Sequence, residues 1–259
     1  QGLMQDWPLT LDKILDHAKA IAPNREVVTR SVEGPIVRTS YGEIHTRAKQ
    51  VTAALKNCGV RLGDRVATLA WNTGRHMEVW FGAQGMGAVL HTLNPRLFPE
   101  QIAWIVNHAE DKILFLDLTF VPLIEKIAPL LTTVERYVVL TDAAHMPATG
   151  LKNAVAYEDF IAGWSADIAW GGFDENTAAG LCYTSGTTGN PKGVLYSHRS
   201  NVIHAMAANN GDAFGLRSRD VVLPVVPLFH ANAWALTFIG PMSGCWTAPA
   251  SMTCWSRKR

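Results

Sequence analysis

Along the first 140 residues, segments with the two-residue period of a strand alternate with segments that have the 3.6-residue period of a helix. Residues 9–21 read as an opening amphipathic helix. Residues 27–30 and 36–39 flank Glu33-Gly34-Pro35, the pattern of a hairpin. Ser40 and Glu43 stand at capping-box spacing and open a helix that runs to Asn57 and stops at Gly59. A strand over 65–70 follows, and Asn72 or Thr73 caps a helix reaching about Met86. Pro99 suits the first turn of another helix, which ends near His108. Residues 112–116 read as a strand, 122–130 as a helix and 136–140 as a strand. This order predicts an α/β fold, a doubly wound and mostly parallel sheet with flanking helices.

The remaining patterns limit what such a chain does. Of 259 residues, 48% are apolar and 17% charged, enough core material to exclude a disordered chain. Lys plus Arg is 23 and Asp plus Glu 22, a balance that argues against a nucleic-acid binder working by bulk charge. The four cysteines form no C-x-x-C pair, so neither zinc spacing nor a dithiol motif is expected, and a reducing cytoplasm fits best. The first ten residues lack the basic and apolar regions of a signal peptide. Residues 221–240 carry no Asp, Glu, Lys or Arg, but Pro224, Pro227, His230 and Asn232 interrupt them, so a buried segment is expected rather than a membrane span. Charged side chains stay absent as far as Trp255, and further polypeptide is expected to cover this stretch.

One segment carries chemistry. A short apolar strand over 178–183 leads into Tyr183-Thr184-Ser185-Gly186-Thr187-Thr188-Gly189-Asn190-Pro191-Lys192-Gly193-Val194. Glycines let backbone N–H groups approach an anion closely. The hydroxyls of Thr184, Ser185, Thr187 and Thr188 add donors, and Lys192 adds a charge that pairs with phosphate oxygens. Gly follows Lys192 where a Walker loop has Ser or Thr, so this is a polyphosphate loop of another kind.

The twelve residues resemble the phosphate-binding loop of the AMP-forming adenylating enzymes, which include acyl-CoA synthetases, peptide-synthetase adenylation domains and luciferases. The resemblance covers residues 1–244, an incomplete N-terminal adenylate-forming domain, with 245–259 an atypical tail. A second block, Pro227-Leu228-Phe229-His230-Ala231-Asn232-Ala233-Trp234, is similar to the acyl-pocket motif of fatty-acyl-CoA synthetases and 3-methylmercaptopropionate–CoA ligases. The resemblance implies ATP, Mg²⁺ and coenzyme A as cofactors and a small carboxylic acid as substrate. It places Thr184, Ser185, Gly186, Thr187, Thr188, Gly189 and Lys192 on the nucleotide phosphates, and Thr184 also on Mg²⁺. It places His230 beside the acyl carboxylate, and with Lys192 in the catalytic set, and Trp234 at the gate of the acyl tunnel, where core packing is an equal alternative. It allows a homodimer of the full-length protein.

His198 and Arg199 read as structural, next to a helix start at Ser197. Asn72 to Arg75 follow a strand end, where ligands often bind in α/β sheets, but carry no chemical signature. The family's Tyr-Gly-x-Thr-Glu block, ribose-binding Asp and C-terminal lysine have no counterpart in these 259 residues, so the chain alone is expected to be inactive. Residues 254–259 are compatible with codons that read Leu-Leu-Glu-Pro-Glu-Thr in another frame, which points to a frameshift in the gene. Two other readings stay open: a non-catalytic nucleotide-binding chain, and an amino-acid adenylation domain, which the lack of an acidic residue over 227–234 disfavours.

Overall fold

The computed structural model describes residues 3, 4, 6–184 and 190–247. Its centre is a seven-stranded sheet of β3 (Arg65–Leu69), β4 (Val89–Thr92), β5 (Asp111–Leu116), β6 (Arg136–Val139), β7 (Ala154–Ala156), β8 (Ala178–Thr184) and β9 (Lys192–Ser197), in the order β7-β6-β5-β3-β4-β8-β9. Every neighbouring pair is parallel except β8 and β9, which run antiparallel. A smaller sheet holds β1 (Glu26–Arg30) and β2 (Ile36–Ser40), the expected hairpin, with β10 (Val221–Val222) and β11 (Trp246–Thr247).

The central strands are apolar on both sides because helices cover both faces of the sheet. In β5, Ile113 and Phe115 enter one core and Leu114 and Leu116 the other. The first core is closed by α1 (Asp12–Ile21), α2 (Tyr41–Asn57), α3 (Gly74–Gly85), α6 (Tyr157–Ile161), α7 (His198–Ala208) and α8 (Leu236–Ser243). The second is closed by α4 (Pro99–Ala109) and α5 (Val121–Ile127). The expectation of a doubly wound α/β fold is met. Local signals set the ends: Ser40 accepts from the Glu43 amide at 3.2 Å to start α2, and Thr73, not Asn72, accepts from the His76 amide at 3.2 Å to start α3.

Only part of 221–247 is left for the further polypeptide expected to cover it. Leu228, Phe229, Ala233, Ala235, Leu236, Phe238 and Ile239 are buried by this chain itself, with the Phe238 ring 5.6 Å from Trp80 and 5.9 Å from Phe81. Val221, Leu223, Val225 and Trp234 are exposed members of the stretch. Among the described residues, no helix is long and apolar enough to cross a membrane. Regular structure continues past Gly244, where Cys245 is buried, its carbonyl accepts from Tyr41 Oη at 2.8 Å, and β11 pairs with β1 through Thr247 and Val27. Residues 248–259, and with them the frameshift reading, lie outside the described residues.

Candidate functional site

The parallel strands all end at one edge of the sheet, where α/β folds bind ligands. Strand β8 ends there at Thr184, and the antiparallel return of β9 sets Lys192 directly opposite Thr184 and Gly193 opposite Tyr183. The two ends of the phosphate-loop segment are therefore pinned to each other. The Thr184 hydroxyl lies 3.5 Å from the Lys192 carbonyl, and both side chains are exposed where β8 ends and β9 begins. Ser185, Gly186, Thr187, Thr188 and Gly189 lie outside the described residues. Gly193 answers a close approach, since a Cβ there would stand 3.2 Å from both Leu181 Cδ1 and Tyr183 Cζ. Tyr183 is in turn held by α4: its hydroxyl is 2.7 Å from His108 Nδ1, and Trp104 stacks on His108 at 4.5 Å.

At its far end β9 reaches a second feature. Tyr196 and three residues of α7 (Ser200, Asn201 and His204) face Ala231, Trp234 and Ala235 across a cavity of about 360 Å³. A tight turn over Ala231–Ala235 carries that wall, with His230 exposed at its start. Ala231, Ala233, Trp234 and Ala235 have φ of 45°, 49°, 57° and 61°. The left-handed region costs a non-glycine residue roughly 1–2 kcal/mol, so this turn is held by its surroundings rather than by its own preference. Trp234 is 60% exposed, which sets it on the cavity rim and not in the packed core.

The structure gives His198 and Arg199 work away from this cavity. His198 is fully buried, its Nδ1 accepts from the Leu11 amide at 3.1 Å, and burial pushes its pKa down to about 4, so the ring is neutral. Arg199 pairs with Glu175, whose other oxygen accepts from the Leu9 amide at 2.7 Å. Together they tie the entry of α1 to the start of α7.

Two groups at the sheet edge have roles that no sequence motif signals. Asp117, just past β5, accepts from the Trp71 amide at 2.6 Å, and burial raises its pKa to about 7. It lines a cavity of about 270 Å³ beside an ion-pair network in which Arg75 bridges Glu33 at 2.7 Å and Glu158 at 2.8 Å. Arg47 joins the same Glu158 to Glu78. Asn72 is buried and spans from the end of β3 to the backbone of 224–228. Neither could be found by motif, because the partners are main-chain groups or charges distant in sequence.

The sequence profile of the AMP-binding enzyme family matches residues 15–249. The chain belongs to that family. Among its relatives, a 3-methylmercaptopropionyl-CoA ligase from Ruegeria pomeroyi is 47% identical over 96% of this chain and 46% of its own length. A long-chain-fatty-acid–CoA ligase from Thermus thermophilus is 46% identical over 93% of this chain and 43% of its own. The chain therefore spans less than half the length of these relatives. The crystal structure of an anthranilate CoA ligase in complex with anthranoyl-AMP superposes with a TM-score of 0.81 at 25% identity, over 95% of this chain and 46% of that one.

Proposed function

We propose that the protein holds ATP and an aliphatic carboxylic acid side by side, as the nucleotide- and acid-recognising part of an AMP-forming acyl-CoA ligase. The observation that carries this reading is the course of β9. It starts at Lys192 beside the phosphate loop and passes Tyr196 in the cavity wall, so one strand ties the two features together. Four residues of extended strand span about 13 Å, a separation that leaves room for a reacting carboxylate between a phosphate and an acyl pocket. The names of the relatives support the reaction class, and with it fatty acids or 3-methylmercaptopropionate as the acids. None of the described residues lining the cavity is acidic, which disfavours an amino-acid substrate.

The chemistry has two steps. The carboxylate attacks the α-phosphate of ATP, displacing pyrophosphate and giving an acyl-adenylate. The thiol of coenzyme A then attacks the acyl carbon and AMP leaves. The first step builds negative charge on pyrophosphate, so positioned donors and cations do most of the work. Lys192 is the cation for those oxygens, and by resemblance Ser185, Gly186, Thr187, Thr188 and Gly189 are the donors. His230 stands for the acyl carboxylate and Trp234 for the gate.

Among the described residues, no group of three or more His, Cys, Asp or Glu could hold a metal ion. That fits Mg²⁺ carried by the nucleotide, with the exposed Thr184 hydroxyl as a protein oxygen for it. When bound, the ion supplies charge neutralisation on the phosphates.

Hydrogen–deuterium exchange on the purified chain tests the reading without requiring turnover. ATP with Mg²⁺ should slow exchange over 184–197, and added octanoate or 3-methylmercaptopropionate should extend the protection to 228–235. Protection by ATP alone, indifferent to acid, would favour the non-catalytic nucleotide-binding reading. No protection by ATP at all would overturn both.

A further inference from the structure

Asn72 lies beyond the end of β3, at the carboxyl edge of the large sheet, and its side chain is buried. A primary amide offers two N–H donors and one carbonyl acceptor. All three are used on a single distant stretch of backbone. Nδ2 donates to the Pro224 carbonyl at 3.0 Å and to the Val226 carbonyl at 2.9 Å, and Oδ1 accepts from the Leu228 amide at 2.9 Å.

The stretch needs such a partner. Pro224 and Pro227 have no N–H, so the backbone between them is poorly equipped to join a sheet ladder. The buried Pro224 carbonyl, left without a donor, would cost free energy comparable to a lost hydrogen bond. Asn72 supplies the donors from the opposite element. Beyond the clamp the chain is short and tight: the His230 amide donates to the Pro227 carbonyl at 3.1 Å, and the Ala233 amide to the His230 carbonyl at 3.0 Å. The left-handed turn bearing Trp234 follows at once. Residues 224–228 thus act on the placement of that turn, beside its direct contacts with α7, β8 and α8.

Asn72 is itself held on both sides. The preceding amide of Trp71 donates to Asp117, the Trp71 carbonyl lies 3.0 Å from His76 Nδ1, and the following Thr73 caps α3. The amide thus transmits the position of the β3 end, a rigid part of the sheet, to the segment carrying His230 and Trp234.

We propose that Asn72 is a positioning residue for acid recognition: its amide fixes the backbone of 224–228 and, through it, the placement of His230 and Trp234. The proposal rests on the acyl-CoA ligase reading for the word acid, and on geometry alone for the clamp.

Two measurements on the purified chain keep those parts apart. The first is hydrogen–deuterium exchange of the unliganded chain as wild type, Asn72→Ala and Asn72→Asp. Losing hydrogen bonds of ordinary strength should speed exchange over 221–235 roughly ten- to a hundred-fold, while 74–85 in α3 stays at its wild-type rate. Asn72→Asp is the decisive variant. It has the same shape and keeps the acceptor for Leu228, but it sets an oxygen against two carbonyls. A packing role predicts that Asn72→Asp exchanges like wild type; a clamp predicts that it exchanges like Asn72→Ala. Wild-type rates over 221–235 in either variant, or a rise shared equally by every peptide, would overturn the clamp.

The second measurement is calorimetric titration of octanoate in the presence of ATP and Mg²⁺. The acid dissociation constant should rise about ten-fold in Asn72→Ala while that of ATP changes less than about two-fold. Equal weakening of acid and ATP would overturn a role in acid recognition. Failure of the wild-type chain to bind octanoate counts against the acyl-CoA ligase reading, while the exchange result still decides the clamp.

Discussion

Lys192 and Trp234 show how much a single side chain is expected to carry when its backbone is already fixed. The main chain at Lys192 is paired with Thr184, so removing the amine leaves β9 in place. Lys192→Ala should weaken ATP binding roughly ten- to a hundred-fold, the range for a hydrogen bond to a charged group, with the melting temperature unchanged because the side chain is exposed. Isothermal titration of both chains with ATP and Mg²⁺ reads the first effect and a thermal melt the second. Unchanged affinity would remove Lys192 from the nucleotide site. Trp234→Ala acts on the neighbouring cavity, whose rim the indole helps to form. A methylene contact in an apolar pocket is worth about 1–3 kcal/mol, so the ratio of affinities for butyrate and octanoate should move about ten-fold or more. A uniform loss for every acid, accompanied by a lower melting temperature, would mark Trp234 as packing instead.

At the scale of elements, the ends of β3 and β5 are joined by a buried carboxyl. The chain turns one way out of β3, toward β4, and the other way out of β5, toward β6, and Asp117 reaches across this divide to the Trp71 amide. Its folded-state pKa of about 7 lies above the value of 3.8 for a free carboxyl. The folded protein therefore binds this proton more tightly than the unfolded chain, and the associated stability is fully present below about pH 4 and lost as pH rises through about 7. Asp117→Asn keeps an acceptor for Trp71 without a charge to bury. Its stability relative to wild type should rise between about pH 4 and 7 and level off above, by up to about 4 kcal/mol, as urea unfolding at stepped pH would show. An offset constant with pH would mean that the carboxyl titrates normally. Sequence reading finds elements of one kind and misses another. Strand β5 and the Ser40–Glu43 start of α2 are local patterns, complete within a few residues, and both stand where expected. Strand β4 is four residues long and follows the α3 end so closely that no separate period is visible. Strand β7 and helix α6 are shorter than a pattern can report. Asn72 escaped for a different reason: its role is written in carbonyls and an amide more than 150 positions away, and backbone groups leave no residue type to recognise.

Across the whole molecule, apolar side chains stay exposed on several elements. Val194 and Leu195 on the edge strand β9, Ile203 and Met206 on α7, and Val221, Leu223 and Val225 near β10 are all exposed. An unpaired edge beside apolar side chains is a template for association. The purified chain should self-associate, as light scattering would show, and Leu195→Lys should reduce the scattering by placing a charge on the open edge. A monodisperse monomer at the highest soluble concentration would contradict this. In the same sample, ATP, Mg²⁺, coenzyme A and a panel of aliphatic acids should give no acid-dependent AMP release. The sequence has no match to the Tyr-Gly-x-Thr-Glu block, and removing one group that stabilises developing charge can cost roughly a hundred- to a thousand-fold. Acid-dependent AMP release would mean that the catalytic groups lie elsewhere in these residues. The small sheet adds a constraint on how the molecule comes into being. Its hairpin, β1 with β2, leaves the ribosome ahead of every other described strand, yet β1 gains its second neighbour when Thr247 arrives beside Val27, and Tyr41 gains its acceptor from Cys245. A two-stranded ribbon is marginal in water by itself. Synthesis thus leaves this hairpin incompletely partnered until Thr247 has emerged, and throughout that interval it is open to proteases and to chaperones.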